Sequence, residues 1–373
     1  MISITDKTQC CGCTACAAVC PKNCITMRPD GEGFLYPAVN ADACVGCGAC
    51  DAVCPVKNRP QAVDHPQAAA VRANDRALRL FSSSGGVFSL LATDVLNAGG
   101  AVCGAVYDEN FQVRHVLAWD EAGVEPMRGA KYVQSDLNDV FSQIRSLLAD
   151  GVPVLFSGTP CQTAGLRSLL RGQPENLLTV AVVCHGAPSP RVWEKNLREL
   201  GNVTDVRLRD KRESWKHYAT NYFADGREIF RPVMDDPYMK GFLRDLFNRP
   251  SCAACPAKGG DYADLTLGDF WGIEKILPAL DDDRGTSLVL VHSEKGRQAL
   301  AALRDRVESR AVPFADAVRY NPAVTTASAA HPQRAEAMRR METEPLARVV
   351  ADYTKASGKE KLMGFARKLL GRK

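Results

Sequence analysis

Two cysteine runs of identical spacing, close together near the N-terminus, constrain this chain more than any other feature. The first reads Cys10-x2-Cys13-x2-Cys16-x3-Cys20-Pro21 and the second Cys44-x2-Cys47-x2-Cys50-x3-Cys54-Pro55. Three thiolates at that spacing wrap three irons of one [4Fe–4S] cube, and the fourth cysteine of each run reaches the other cube. The spacing therefore predicts one cluster on Cys10, Cys13, Cys16 and Cys54, and another on Cys44, Cys47, Cys50 and Cys20. Gly12, Ala15, Gly46, Gly48 and Ala49 leave room for the backbone to approach, and the two prolines stop each short helix. Zinc is the rival reading. A closed four-ligand zinc site has no use for a third cysteine two residues on, nor for the Cys-Pro pair. With no signal-peptide pattern ahead of Cys10, metal ligation is expected over disulfides.

The remaining length, out of 373 residues, leaves room for one or two larger domains. A net charge of +4 is too mild to argue for nucleic acid, and 24% charged with 46% hydrophobic residues is ordinary for a soluble protein. The longest apolar run, about Leu177 to Cys184, falls far short of a membrane span. A cytoplasmic protein with no transmembrane segment is expected; peripheral membrane association and oligomeric state stay open.

The pattern along the chain divides it into a ferredoxin-type domain over residues 1–58, a linker over 59–67, an α/β domain over 68–330 and a helical basic tail over 331–373. Ile25 to Arg28 and Phe34 to Tyr36 flank a Gly-containing turn and read as a hairpin. Cys11 and Cys24 stand outside the ligand register and read as small buried residues. Ser82-Ser83-Ser84-Gly85-Gly86 leads into an apolar helical run to Leu96. That helix mouth suits a phosphate, although a plainly capped helix gives the same pattern. From Leu137 the chain alternates helix and strand, which predicts a mixed, mostly parallel sheet with ligands at the strand carboxyl ends. Cys161 and Cys184 fall there. The tail ends in Lys355, Lys359, Lys361, Arg367, Lys368, Arg372 and Lys373 and reads as a solvated helix face.

Cys161, Cys184, Cys252 and Cys255 make a second set of four ligands. A C-x2-C pair plus two distant cysteines can hold zinc or a third [4Fe–4S] cluster, and a chain already carrying two electron-transfer clusters favours iron. A redox-active thiol at Cys161, at a helix N-terminus, is the competing reading.

Seven stretches together resemble the family of coenzyme F420 hydrogenase/dehydrogenase beta subunits over nearly the whole chain. They are Ser83 to Phe88, Gly104 to Asp108, Lys131 to Ser135, Gly158 to Gln162, Cys184-His185-Gly186, Cys252-x2-Cys255 and Gly268 to Gly272. The resemblance implies FAD beside a [4Fe–4S] cluster in the α/β domain. It implies an oxidoreductase that passes electrons between a small-molecule hydride carrier, such as coenzyme F420, and a redox protein such as ferredoxin. It also covers ferredoxin-dependent reductases of other small molecules, and a non-catalytic electron-transfer component of a larger complex remains the alternative. On this reading the flavin pyrophosphate would lie at Ser83, Ser84, Gly85 and Gly86 with Lys131 as charge partner. Gln134, Gly158, Thr159 and Asp210 would be further cofactor contacts. Lys211 and His185 are the candidate catalytic residues, His185 as a proton donor or as the residue that orients the Cys184 loop.

Overall fold

The computed structural model describes residues 1–58, 66–260 and 262–354. The β-rich arms between the cysteine runs pair as an antiparallel hairpin, β1 (Ile25–Pro29) with β2 (Leu35–Val39). Asp30 locks its turn, accepting from the N–H groups of Glu32 and Phe34 at 3.0 Å each. The third cysteine of each run sits in a one-turn helix, Cys16 in Ala15–Ala18 and Cys50 in Ala49–Ala52. Gly48, at φ 74°, starts the second of these from the left-handed region.

β3 (Gln67–Ala73), β4 (Ala101–Tyr107), β5 (Val113–Ala118), β6 (Val154–Gly158) and β7 (Leu177–Val182) belong to the main sheet. β8 (Val203–Asp210), β9 (Ala219–Ala224) and β10 (Arg227–Pro232) leave it and form a separate antiparallel sheet. β11 (Leu265–Asp269), β12 (Ser287–Val291) and β13 (Val307–Val312) return. The main sheet has the order β13-β3-β12-β11-β7-β6-β4-β5.

The expectation of a mostly parallel sheet needs correction. β4, β6, β7 and β11 are parallel, giving three parallel pairings, but the other four pairings are antiparallel. β4 turns directly into β5, and such a hairpin needs no crossover helix. β3, from just past the linker, slots between β12 and β13, which no local pattern announces.

Alternation along β6 separates two cores. Leu155 faces the helix Val87–Asn97 through Val87 and Leu91. Val154 and Phe156 face the opposite side, toward Phe141, Ile144, Leu166 and Leu169. Cys11, Cys13, Ala15 and Val53 of the N-terminal module join this second core. The module is therefore seated on the sheet's helical cover.

The tail departs from its reading as a solvated face. Ala337, Met341, Leu346, Val349 and Val350, on helices Arg334–Met341 and Leu346–Tyr353, pack with Trp193, Tyr238, Phe242 and Phe247. A basic composition hides their apolar spacing. The basic residues from Lys355 onward lie outside the described residues, as does most of the expected linker. Among the described residues no helix is long and apolar enough to cross a membrane.

Candidate functional site

Parallel β4, β6, β7 and β11 end at one edge, and that edge gathers the chemistry. Gly158 ends β6, and Cys161 opens the helix Pro160–Leu170 one step beyond. Pro160 at the first helical position suits that start. Thr159 caps it: its N–H donates to Gln162 Oε1 at 2.8 Å, and Gln162 Nε2 donates to Ser135 Oγ at 2.8 Å. Thr159 Oγ1 lies 3.2 Å from Cys161 Sγ. A Cβ on Gly158 would meet the Phe156 ring at 3.0 Å and Gln162 Oε1 at 3.1 Å. Gly158 and Thr159 thus build the Cys161 mouth rather than present free groups to a cofactor.

Cys184 follows β7, and its loop is tied by Lys258, which donates to the Cys184 carbonyl oxygen. Cys252 comes from the tight turn Pro250–Ala254, with Cys255 just past it, and accepts the Ala187 N–H at 3.3 Å. All six pairings among Cys161, Cys184, Cys252 and Cys255 are close enough for their charges to interact. Burial pushes the bare thiols of Cys184 and Cys255 up and that of Cys252 to about 12. For Cys161 the adjacent Cys11 thiol contributes most, then burial. Four partly buried thiols that resist ionising alone fit a site where a cation or cluster stabilises the thiolates. The bare Cys161 is thus the opposite of an activated nucleophile. Among the described residues no three or more Cys, His, Asp or Glu converge as around a single ion. A cube takes its thiolates at separate corners.

The N-terminal cysteines lie in two neighbouring groups. Cys20, Cys44, Cys47 and Cys50 line one small cavity. Cys10, Cys16 and Cys54 act on one another's charge. Cys13, the remaining member, presses on the helix that carries Cys161: a Cβ on Gly165 would stand 2.8 Å from Cys13 Cβ. Cys161 and Gly165 are one turn apart and share a helix face. Cys24 and Cys11 are buried, as expected, yet each touches a ligand candidate. Cys24 Sγ lies 3.4 Å from Cys20 Sγ, and Cys11 faces Cys161.

The junction between module and sheet is a residue that sequence reasoning missed. Arg249 donates from Nε to the Cys10 carbonyl at 2.7 Å, from Nη2 to the Leu35 carbonyl at 2.9 Å and from Nη1 to Gln134 Oε1 at 2.8 Å. Gln134 Nε2 donates in turn to the Cys11 carbonyl at 3.3 Å, so this residue serves the junction. Gly12 makes the approach possible: at φ 72°, its Cβ would meet Gln134 Nε2 at 2.7 Å and Arg249 Nη1 at 2.8 Å. Arg334 adds a second tie, donating to Glu32 Oε1 at 3.0 Å. A basic residue three places before a C-x2-C pair was the available signal.

The remaining cofactor candidates divide. Ser84 Oγ donates to the Thr286 carbonyl at 3.0 Å and the Gly85 N–H donates to Ser287 Oγ at 2.9 Å. A Cβ on Gly85 would meet the Val71 carbonyl oxygen at 2.4 Å, so strand packing already requires that glycine. Gly86 enters the helix at φ 88°, and Ser83 is half-buried beside it. Asp210 is committed to Arg212, whose fork holds its carboxyl low against the opposing effect of burial. His185 Nε2 lies 2.9 Å from Asp245 Oδ1, and its ring sits edge-on to Phe242.

Two lysines remain without a carboxylate hydrogen-bond partner. Lys211, 6% exposed, donates to the carbonyls of Ser84 at 2.8 Å and Arg284 at 2.7 Å. Lys131 donates to the carbonyls of Arg128 and Gly129 and lies 5.7 Å from the centre of the Tyr107 ring. Burial pulls both ammonium groups down to about 7. Arg209, on the strand end before Lys211, reaches the hydroxyl of Tyr132, the neighbour of Lys131, at 3.5 Å. The buried Nε of Arg128 and hydroxyl of Tyr107 have no hydrogen-bond partner among the described residues. Arg209 is already neutralised by Asp269, so Lys131, Lys211 and these unmet polar atoms are what could serve an anionic group such as a pyrophosphate. A separate cavity of about 340 Å³ opens beside Cys184 and Pro160 and reaches Lys258, His292 and Arg297. None of the residues assigned to flavin lines it.

Residues 153–316 match the family model for the C-terminal part of the coenzyme F420 hydrogenase/dehydrogenase beta subunit, and residues 9–58 match that of the 4Fe-4S dicluster domain. One of the F(420)H(2) dehydrogenase subunits of Methanosarcina mazei is 23% identical over 322 residues, covering 82% of this chain and 85% of that protein. A chain in a solved structure of the F420-reducing [NiFe] hydrogenase complex from Methanosarcina barkeri gives a TM-score of 0.49 at 15% identity. The match covers 83% of this chain and 94% of that one. With clustered cysteines at both matched regions, the chain is an iron–sulfur electron-transfer protein. It joins a region that matches the 4Fe-4S dicluster domain to one that matches the family of coenzyme F420 hydrogenase/dehydrogenase beta subunits.

Proposed function

We propose that this protein is an iron–sulfur flavoprotein oxidoreductase that links a small-molecule hydride carrier of the coenzyme F420 kind to a one-electron protein such as ferredoxin. The observation that carries this reading is the shared helix face: Cys161 of the four-cysteine cage and the Gly165 seat of Cys13 lie one turn apart. Electron transfer needs such contiguity between sites. Cys10, Cys13, Cys16 and Cys54 would hold one cluster, and Cys20, Cys44, Cys47 and Cys50 a second. Cys161, Cys184, Cys252 and Cys255 would hold a third. Bound FAD would supply the conversion between hydride and single-electron chemistry. Lys131 and Lys211 would neutralise its pyrophosphate, and His185 would keep the Cys184 loop in place.

A second reading, an electron relay without flavin, is favoured by one observation. The Ser84 hydroxyl and the Gly85 N–H are spent inside the fold. Cofactor analysis of anaerobically purified protein separates the two. About one FAD with about 12 irons per chain supports the flavoprotein, and full iron without flavin supports the relay.

A further inference from the structure

Arg249 is a buried cation for which the described residues offer no carboxylate. It is 2% exposed, and its hydrogen bonds go to two carbonyls, one amide oxygen and, from Nη2 at 3.6 Å, Cys10 Sγ. The rings of Tyr36 and Phe34, 4.2 and 5.4 Å from its guanidinium carbon, complete the surroundings. A guanidinium does not lose its proton in a protein, and burying one without a counter-charge is strongly unfavourable. The Arg249 carbonyl accepts the Cys252 N–H at 2.9 Å, and besides Tyr36 its charge acts on thiols from two different sets: Cys10 of the module, and Cys161 and Cys252 of the cage.

We propose that Arg249 is the shared counter-ion of the Cys10 cluster and the Cys161 cage, and holds both above the outer Cys20/Cys44/Cys47/Cys50 cluster in reduction potential. The inference rests on the cluster assignments above. A cube with four thiolates is negative, and reduction adds one electron and no atom. A fixed positive charge and an N–H donated to a ligand sulfur therefore stabilise the reduced form and raise the potential. Among the described residues, hydrogen bonds from Arg249 reach none of Cys20, Cys44, Cys47 or Cys50. Electrons entering from either end would thus collect at the inner pair, between the flavin edge and the module. Arg249 is a positioning and tuning residue; it touches a ligand but no substrate.

The test compares the parent protein with Arg249→Gln and Arg249→Lys. Each is purified anaerobically, assayed for iron and titrated with dithionite under electron paramagnetic resonance. Arg249→Gln is expected to lower the potentials of the inner clusters and leave the outer one unchanged. Arg249→Lys, which keeps the charge, is expected to recover most of that shift. Unchanged potentials in an iron-replete Arg249→Gln protein overturn the proposal. So does an Arg249→Lys protein shifted as far as Arg249→Gln, or one that loses the inner clusters, because charge would then not be the property that matters. If the parent holds about 8 irons, the cage reading alone fails. The shift must still appear at the Cys10 cluster.

Discussion

Arg249 donates to the carbonyl oxygen of Cys10 across 2.7 Å, joining residues 239 positions apart. That bond lies where the N-terminal module meets the sheet domain. Three places after Arg249 comes Cys252, one of the four cage cysteines. The junction and the candidate third cluster are therefore built from one loop, and a change that loosens one disturbs the other.

Docking gives the first prediction. Gly165 leaves no room for a side chain against Cys13. Gly165→Val is expected to cost about 1–3 kcal/mol through overpacking at the seat, despite a better intrinsic helix former replacing glycine. Denaturant unfolding of the iron-loaded protein measures it, and a variant as stable as the parent would place the seat elsewhere. Removing residues 1–58 altogether would uncover the Phe156, Leu166 and Leu169 face of the core, so truncation is expected to destabilise the remainder.

Metal content tests the cage. Cys161→Ser is expected to lose about four irons, and Cys11→Ser, which changes only its neighbour, to keep all of about 12. Anaerobic iron and zinc analysis reads both. One zinc and about 8 irons in the parent would replace the third cluster by a structural zinc site.

The two lysines give a pH dependence. Both sit near 7 in the folded chain against an ordinary value of 10.5. Between those values the unfolded chain holds more protons, so the flavin-free protein is expected to gain stability as pH rises from about 7 to about 10. A pyrophosphate bound by both would pull both values back up, and FAD binding at pH 8 should therefore take up protons. Calorimetric titration in two buffers of different ionisation enthalpy measures that uptake. An uptake of zero would move the pyrophosphate away from Lys131 and Lys211. Lys211→Met should weaken FAD binding roughly tenfold or more, about 1.4 kcal/mol.

Local chemistry was the legible part of this molecule. The cysteine runs announce the 4Fe-4S dicluster domain in their spacing, because ligand geometry is set within a few residues. The strand ends at Cys161 and Cys184 were legible through the helix–strand alternation around them. The β9–β10 hairpin was missed although Asp225-Gly226, at φ 50° and 72°, is a strong hairpin turn. Its strands mix polar and aromatic residues and lack a clean alternation. Ser84 and Gly85 pointed toward a phosphate because a glycine demanded by close strand packing and one demanded by a ligand look alike in sequence. Arg249 was legible only as a basic residue ahead of a C-x2-C pair: its partners Cys10, Leu35 and Gln134 come together only in the fold.

The account's central claim is a continuous path from a protein electron carrier through the module to a flavin. Cys47 is exposed, belongs to the outer set and makes no contact with the junction among the described residues, so Cys47→Ser should cut that path without undocking the module. The direct measurement is anaerobic stopped-flow bleaching of the bound flavin by a reduced ferredoxin, in the parent and in Cys47→Ser. The account predicts rapid bleaching in the parent and a loss of at least about tenfold in the variant, with FAD content unchanged. Bleaching at the parent's rate in Cys47→Ser, or a parent protein that carries no flavin to bleach, contradicts it.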